Sequence, residues 1–91
     1  MSDRCTVQVT IVNKLGLHAR PAMTFVDLAS TFQAEVTVRR ADQEVDGKSI
    51  MHMMMLAATK GTELTVTAVG PDAQKACTAL KKLVDGGFDE D

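Results

Sequence analysis

The sequence predicts a two-layer α+β domain, a four-stranded antiparallel sheet with three helices on one face. Three observations predict it. Apolar residues alternate with polar ones in several short stretches, the period of half-buried strands. Elsewhere they recur at helical spacing. The chain has 91 residues, enough for one compact domain and too few for two. The resulting order is strand, helix, strand, strand, helix, strand, helix.

In residues 6–12, Val7, Val9 and Ile11 share one strand face, with Thr6, Gln8 and Thr10 on the other. Residues 13–16 form a loop. From Ala19 the period changes, and Ala22, Phe25, Val26, Ala29 and Phe32 make one helical stripe. Pro21 falls in the first turn of that helix, where a missing N–H does little harm. Residues 35–40 form a second strand with Val36 and Val38 inward, and Ala41 and Asp42 turn into a short third strand ending near Val45 or Asp46. Asp46 and Gly47 signal another turn. Ser49 is suited to cap a short helix of two to three turns running toward Lys60 and stopped by Gly61. Leu64, Val66 and Ala68 alternate in a fourth strand, which Gly70, Pro71 and Asp72 end. The last helix carries Ala73, Ala76, Cys77, Leu80, Leu83 and Val84 on one stripe and stops at Gly86 and Gly87. Residues 88–91 read as a loose acidic tail.

Composition narrows the function. Net charge is -2 with acids and bases intermixed, which argues against a basic nucleic-acid surface. The longest apolar run, residues 53–58, is far short of a membrane span. The opening residues lack the basic and apolar pattern of a signal peptide, so the expected compartment is the cytoplasm. Cys5 and Cys77 form no CxxC or metal-spaced set and read as free, partly buried thiols.

Gly16, Leu17, His18, Ala19, Arg20, Pro21 and Ala22 form the most informative segment. An imidazole at a helix start faces backbone N–H groups that lack intrahelical acceptors. Those groups and the helix dipole favour an anion by about 0.3–1 kcal/mol. Arg20 adds a charge-assisted hydrogen bond worth roughly 1.5–3 kcal/mol. Such a seat is shallow enough to release a phosphoryl group again.

This heptapeptide resembles the active-site motif of HPr, the histidine-containing phosphocarrier family of the bacterial phosphoenolpyruvate-dependent phosphotransferase system. Gly16, His18, Arg20 and Pro21 stand where that motif has them. A second segment, Gly47, Lys48, Ser49, Ile50 and Met51, is similar to the family's regulatory serine site. The element order also resembles the HPr open-faced β-sandwich, βαββαβα, over residues 1–91 as one domain. The resemblance implies that His18 accepts a phosphoryl group on Nδ1 from phospho-Enzyme I and donates it to enzyme IIA proteins, with Arg20 holding the phosphate. It implies a carrier rather than an autonomous enzyme, acting as a monomer without metal or organic cofactor. It further implies that HPr kinase/phosphorylase can modify Ser49, and that Ile50, Met51 and Met54 help dock partners.

As local chemistry, Ser49 is first an N-cap, a role compatible with phosphorylation at a helix N-terminus beside Lys48. Met51, Met53, Met54 and Met55 exceed what one core face of a short helix hides, so an exposed apolar patch is expected alongside core filling. A metal site built on His52 and the methionines lacks a second ligand at suitable spacing. Gly47, Lys48 and Ser49 do not make a P-loop, whose first Gly would fall at Asp42. His52 departs from the small residue many HPr proteins have there. The competing reading is a regulatory binding module acting through Ser49 and the Met-rich helix with little carrier flux; retention of both His18 and Arg20 favours the carrier.

Overall fold

A computed structural model describes residues 3–89. The elements are β1 (Arg4–Thr10), α1 (Ala19–Ala29), β2 (Glu35–Arg40), β3 (Gln43–Asp46), α2 (Ile50–Met55), β4 (Glu63–Val69) and α3 (Ala73–Asp85). A 3₁₀ turn, Gly87–Asp89, follows α3. The strands lie in the order β1-β4-β2-β3, and every neighbouring pair is antiparallel.

Alternation decides which face is covered. Val9, Val36, Val38, Leu64, Val66 and Ala68 point to the helical layer and are buried. Against them lie Ala22, Phe25, Val26 and Ala29 of α1 and Ala73, Ala76, Cys77, Leu80 and Val84 of α3. The opposite face keeps Thr6, Thr37, Thr65 and Thr67 at least partly exposed, and the Thr6 and Thr67 hydroxyls pair across strands at 3.2 Å. The expected α+β layering, open on one face, is therefore the observed one.

Three details differ from the sequence reading. β1 begins and ends two residues earlier than 6–12. Ile11 still donates to Thr62 O (2.9 Å) and accepts from Gly61 (2.7 Å), but those partners belong to the turn before β4, and Val12 is exposed. The second helix stops at Met55 rather than running toward Lys60. Ala57 turns left-handed (φ 49°), and Ala58 gives its carbonyl to Leu17 N–H, so the chain there is committed to a neighbouring loop. The third difference is Phe88, expected in a loose tail but only 6% exposed and part of the core. Its left-handed backbone (φ 57°) and the positive φ of Gly87 fold the chain end back. A Cβ on Gly87 would sit 3.5 Å from Val12, so this turn closes beside the start of the His18 loop. Residues 90 and 91 lie outside the described residues.

Asp72 joins the layers. It precedes α3 without capping it; its carboxylate instead accepts from Gln33 N–H (2.9 Å) and Ala34 N–H (2.8 Å), in the connection between α1 and β2. The Gln33 bond above all holds the carboxyl below its ordinary 3.8; the Ala34 bond and the Lys48 charge act in the same direction, and partial desolvation opposes them. The folded state thus prefers the ionised form. Its contribution is present above the unfolded-state value and is lost as pH falls through the lower folded value. Asp72→Asn should flatten the fall in urea midpoint below pH 4. An unchanged acid limb in that variant would mean that Asp72 carries none of it.

Candidate functional site

Gly16 sets the conformation of the loop before α1. Its φ of +72° suits glycine, and a Cβ there would lie 2.6 Å from Ala58 O. That close approach lets Leu17 N–H donate to Ala58 O at 2.8 Å and bury its side chain. Asn13 closes the loop from the other side: its side-chain amide donates to Gly16 O (2.7 Å), and its carbonyl accepts from Gly16 N–H (3.2 Å). Asn13 is 1% exposed, the sole buried polar residue among those described.

His18 follows as the N-cap residue of α1, with extended backbone (φ -89°, ψ -169°). Its N–H donates to Gly16 O (3.0 Å), and its carbonyl starts the helix by accepting from Ala22 (3.0 Å). The imidazole makes no capping bond to the first turn, and the residue is half-buried. The amides of Ala19 and Arg20 have no intrahelical acceptor by position, and Pro21, buried in the first turn, has no N–H to satisfy. Arg20 is exposed. The arrangement offers a nucleophilic ring nitrogen, backbone donors and a guanidinium at the positive end of one helix dipole.

Ser49 is where its chemistry predicts, the N-cap of α2, with Oγ accepting from His52 N–H at 3.3 Å. Lys48, expected near that hydroxyl, instead donates from Nζ to Phe32 O at 2.8 Å. The His52 ring accepts from Asp46 N–H on Nδ1 (3.3 Å), and Asp46 Oδ1 accepts from Lys48 N–H (2.9 Å), so the turn into α2 is tied from both sides. Of the α2 methionines only Met53 is buried; Met51 is 78% exposed, and Met54, Met55 and Ile50 are also exposed. α2 packs against α1, and its C-terminal end leads to Ala58, which holds the His18 loop. Ser49 sits at the other end of this helix, roughly 9 Å of helical rise away.

The sequence reading did not single out Asn13 or the Ala58 carbonyl. An asparagine a few residues before a glycine signals a turn, but its burial depends on packing that the local sequence does not encode. Leu15 and Met23, on the loop and on α1, also expose apolar surface that the reading did not assign. Among the described residues, no group of three or more His, Cys, Asp or Glu could hold a metal ion. No helix among the described residues is long and apolar enough to cross a membrane.

The open-faced sheet with three helices on one face belongs to a class, the HPr-type phosphocarriers. Residues 5–85 match the family model described as the PTS HPr component phosphorylation site, and the chain belongs to that family. Phosphocarrier protein HPr of Pseudomonas putida is 51% identical over 84 residues, spanning 91% of this chain and 93% of the relative. Phosphocarrier protein NPr of Escherichia coli (strain K12) is 41% identical over 92 aligned positions, covering both chains fully. The crystal structure of HPr-C-His from Thermoanaerobacter tengcongensis superposes with a TM-score of 0.91 at 39% identity, covering 96% of this chain and 98% of that one. A second structure from that organism is described as an HPr dimer.

Proposed function

We propose that this chain relays phosphoryl groups within a phosphotransferase system, taking them from phospho-Enzyme I onto His18 and passing them to an enzyme IIA protein. The observation that carries the reading is the placement of His18 at the N-cap of α1, with first-turn amides and Arg20 adjacent. As the phosphorus leaves its donor nitrogen it bonds to the His18 ring nitrogen, and the dianionic group settles against those donors. The transfer needs positioning and charge stabilisation more than further covalent chemistry. On this reading the chain is a carrier, not an autonomous enzyme, and needs no cofactor of its own. It works in the cytoplasm as a monomer, which elution at the mass of one chain would test.

Ser49 is the proposed regulatory site for HPr kinase/phosphorylase, and Ile50, Met51 and Met54 are the proposed docking residues. A phosphate on Ser49 would stand at one end of the exposed methionines while His18 stands beyond the other. It could therefore alter partner binding without touching the transfer chemistry. The named relatives are phosphocarriers and lend no support to a purely regulatory module.

Incubation with phosphoenolpyruvate and Enzyme I should place acid-labile phosphate on the native chain. Arg20→Ala should accept it about 10- to 100-fold more slowly, the kinetic equivalent of one charge-assisted hydrogen bond. The ATP-dependent kinase should add acid-stable phosphate that Ser49→Ala lacks. Failure of a competent Enzyme I to label the native chain would overturn the proposal.

A further inference from the structure

Cys5 and Cys77 are 72 residues apart in sequence, yet the fold brings the Cys77 thiol against the Cys5 residue. Cys5 lies on β1 opposite Ala68 of β4, and the alternation that turns Val9 toward the helices turns Cys5 the same way. It packs against the core and is half-buried. Cys77 is on the buried stripe of α3 and is 0% exposed. Its Sγ–H donates to the Cys5 carbonyl at 3.2 Å. Burial above all, and then the neighbouring Cys5 side chain, push the Cys77 thiol up to about 12. The Cys77 sulfur thus reaches the Cys5 residue across one strand–helix contact, with Cys5 partly buried and Cys77 sealed behind it.

We infer that Cys5 and Cys77 form an oxidisable dithiol that closes to a disulfide linking β1 to α3 in the presence of a low-molecular-weight disulfide such as oxidised glutathione. The roles follow from access. The Cys5 thiolate attacks one sulfur of oxidised glutathione, forming a mixed disulfide and releasing a glutathione thiolate. That thiolate takes up a proton as Cys77 gives one up, and the Cys77 sulfur displaces the second glutathione from Cys5. In sum, two protein thiols and one oxidised glutathione give one protein disulfide and two reduced glutathiones. Two electrons pass from the protein to glutathione.

The inference is independent of the phosphocarrier reading. Cys5 lies at the end of β1 away from the His18 loop, about 17 Å of strand rise from Thr10. The bond would act on stability. Closing so long a chain segment restricts the unfolded ensemble strongly.

The test incubates the full chain with oxidised glutathione and reads intact mass, thiol content under denaturant and thermal midpoint. The expected result is loss of two hydrogen masses, no titratable thiol, and a midpoint raised by roughly 10 °C that dithiothreitol reverses. Cys5→Ser, a mild change at a half-buried position, should show neither the mass loss nor the rise. A lasting mixed disulfide on Cys5, a covalent dimer through Cys5, or two free thiols after incubation would each overturn the inference.

Discussion

Replacing His18 with alanine should abolish acid-labile phosphate on the chain, while His52→Ala should be labelled as the native protein is. The chain contains two histidines, so the pair of variants separates the candidates completely. They are not equivalent sites. His18 stands before the first turn of an 11-residue helix, where the amides of Ala19 and Arg20 have no helical acceptor. His52 lies inside the six-residue α2, where its own N–H is already bonded to the Ser49 hydroxyl. Its Nδ1 accepts from Asp46 N–H, a bond that a phosphoryl group on that nitrogen would displace. The electrostatic support therefore exists at one imidazole and not the other. Labelling that survives in His18→Ala and disappears in His52→Ala would reverse the assignment.

Gly16→Ala should have the second-largest effect, lowering both stability and transfer. An alanine there must hold φ near +72°, and its Cβ would sit 2.6 Å from Ala58 O and 3.0 Å from Thr59 Cα. Both obstacles are backbone, so the loop or the segment after α2 must move. The strain costs about 1–3 kcal/mol, or roughly 5–15 °C in thermal midpoint for a domain of this size. Any shift also breaks the Leu17–Ala58 and Asn13–Gly16 bonds that hold His18 at the helix start. Misplacement by about 1 Å can slow phosphoryl acceptance up to ~100-fold. Gly61→Ala supplies the control. Its φ of +93° is also unfavourable for alanine, but nothing lies within 4 Å of the added Cβ. That variant should lose some stability and keep the native transfer rate. Equal transfer rates in the two variants would show that the Gly16–Ala58 approach does not position His18.

Much of the fold could be read directly because its signals are local. Val36 and Val38, or Leu64, Val66 and Ala68, alternate whatever they pair with, and the stripes of α1 and α3 mark one face each. Ser49 was recognisable as an N-cap because capping depends on a few consecutive residues. The strand order β1-β4-β2-β3 has no such local signature. Phe88 is the clearest failure of local reading. After two glycines and among acids it has no periodic partner, yet a left-handed backbone at residue 88 returns its ring to the core. The early end of α2 is of the same kind, since Ala57 and Ala58 are good helix formers diverted by the loop they support.

The candidate site divides along the same line. His18, Arg20 and Pro21 announce themselves by type and spacing at a helix start. Gly16 is legible as part of that motif, but its close approach to the Ala58 carbonyl, like the burial of Asn13, is a tertiary contact with no local signature. Cys5 and Cys77 make the point again: nothing in their spacing brings them together, whereas the antiparallel packing of α3 on β1 does.

The central claim is that the phosphoryl group resides on the imidazole at the start of α1. The most direct test is site-resolved detection of phosphate on the native chain after reaction with phospho-Enzyme I, by phosphorus–proton correlation NMR at alkaline pH, where phosphohistidine persists. The account predicts a single phosphorus signal coupled to the His18 ring protons, with phosphorus on Nδ1. A signal coupled to His52, or acid-stable phosphate on Ser49 as the only product, would contradict it.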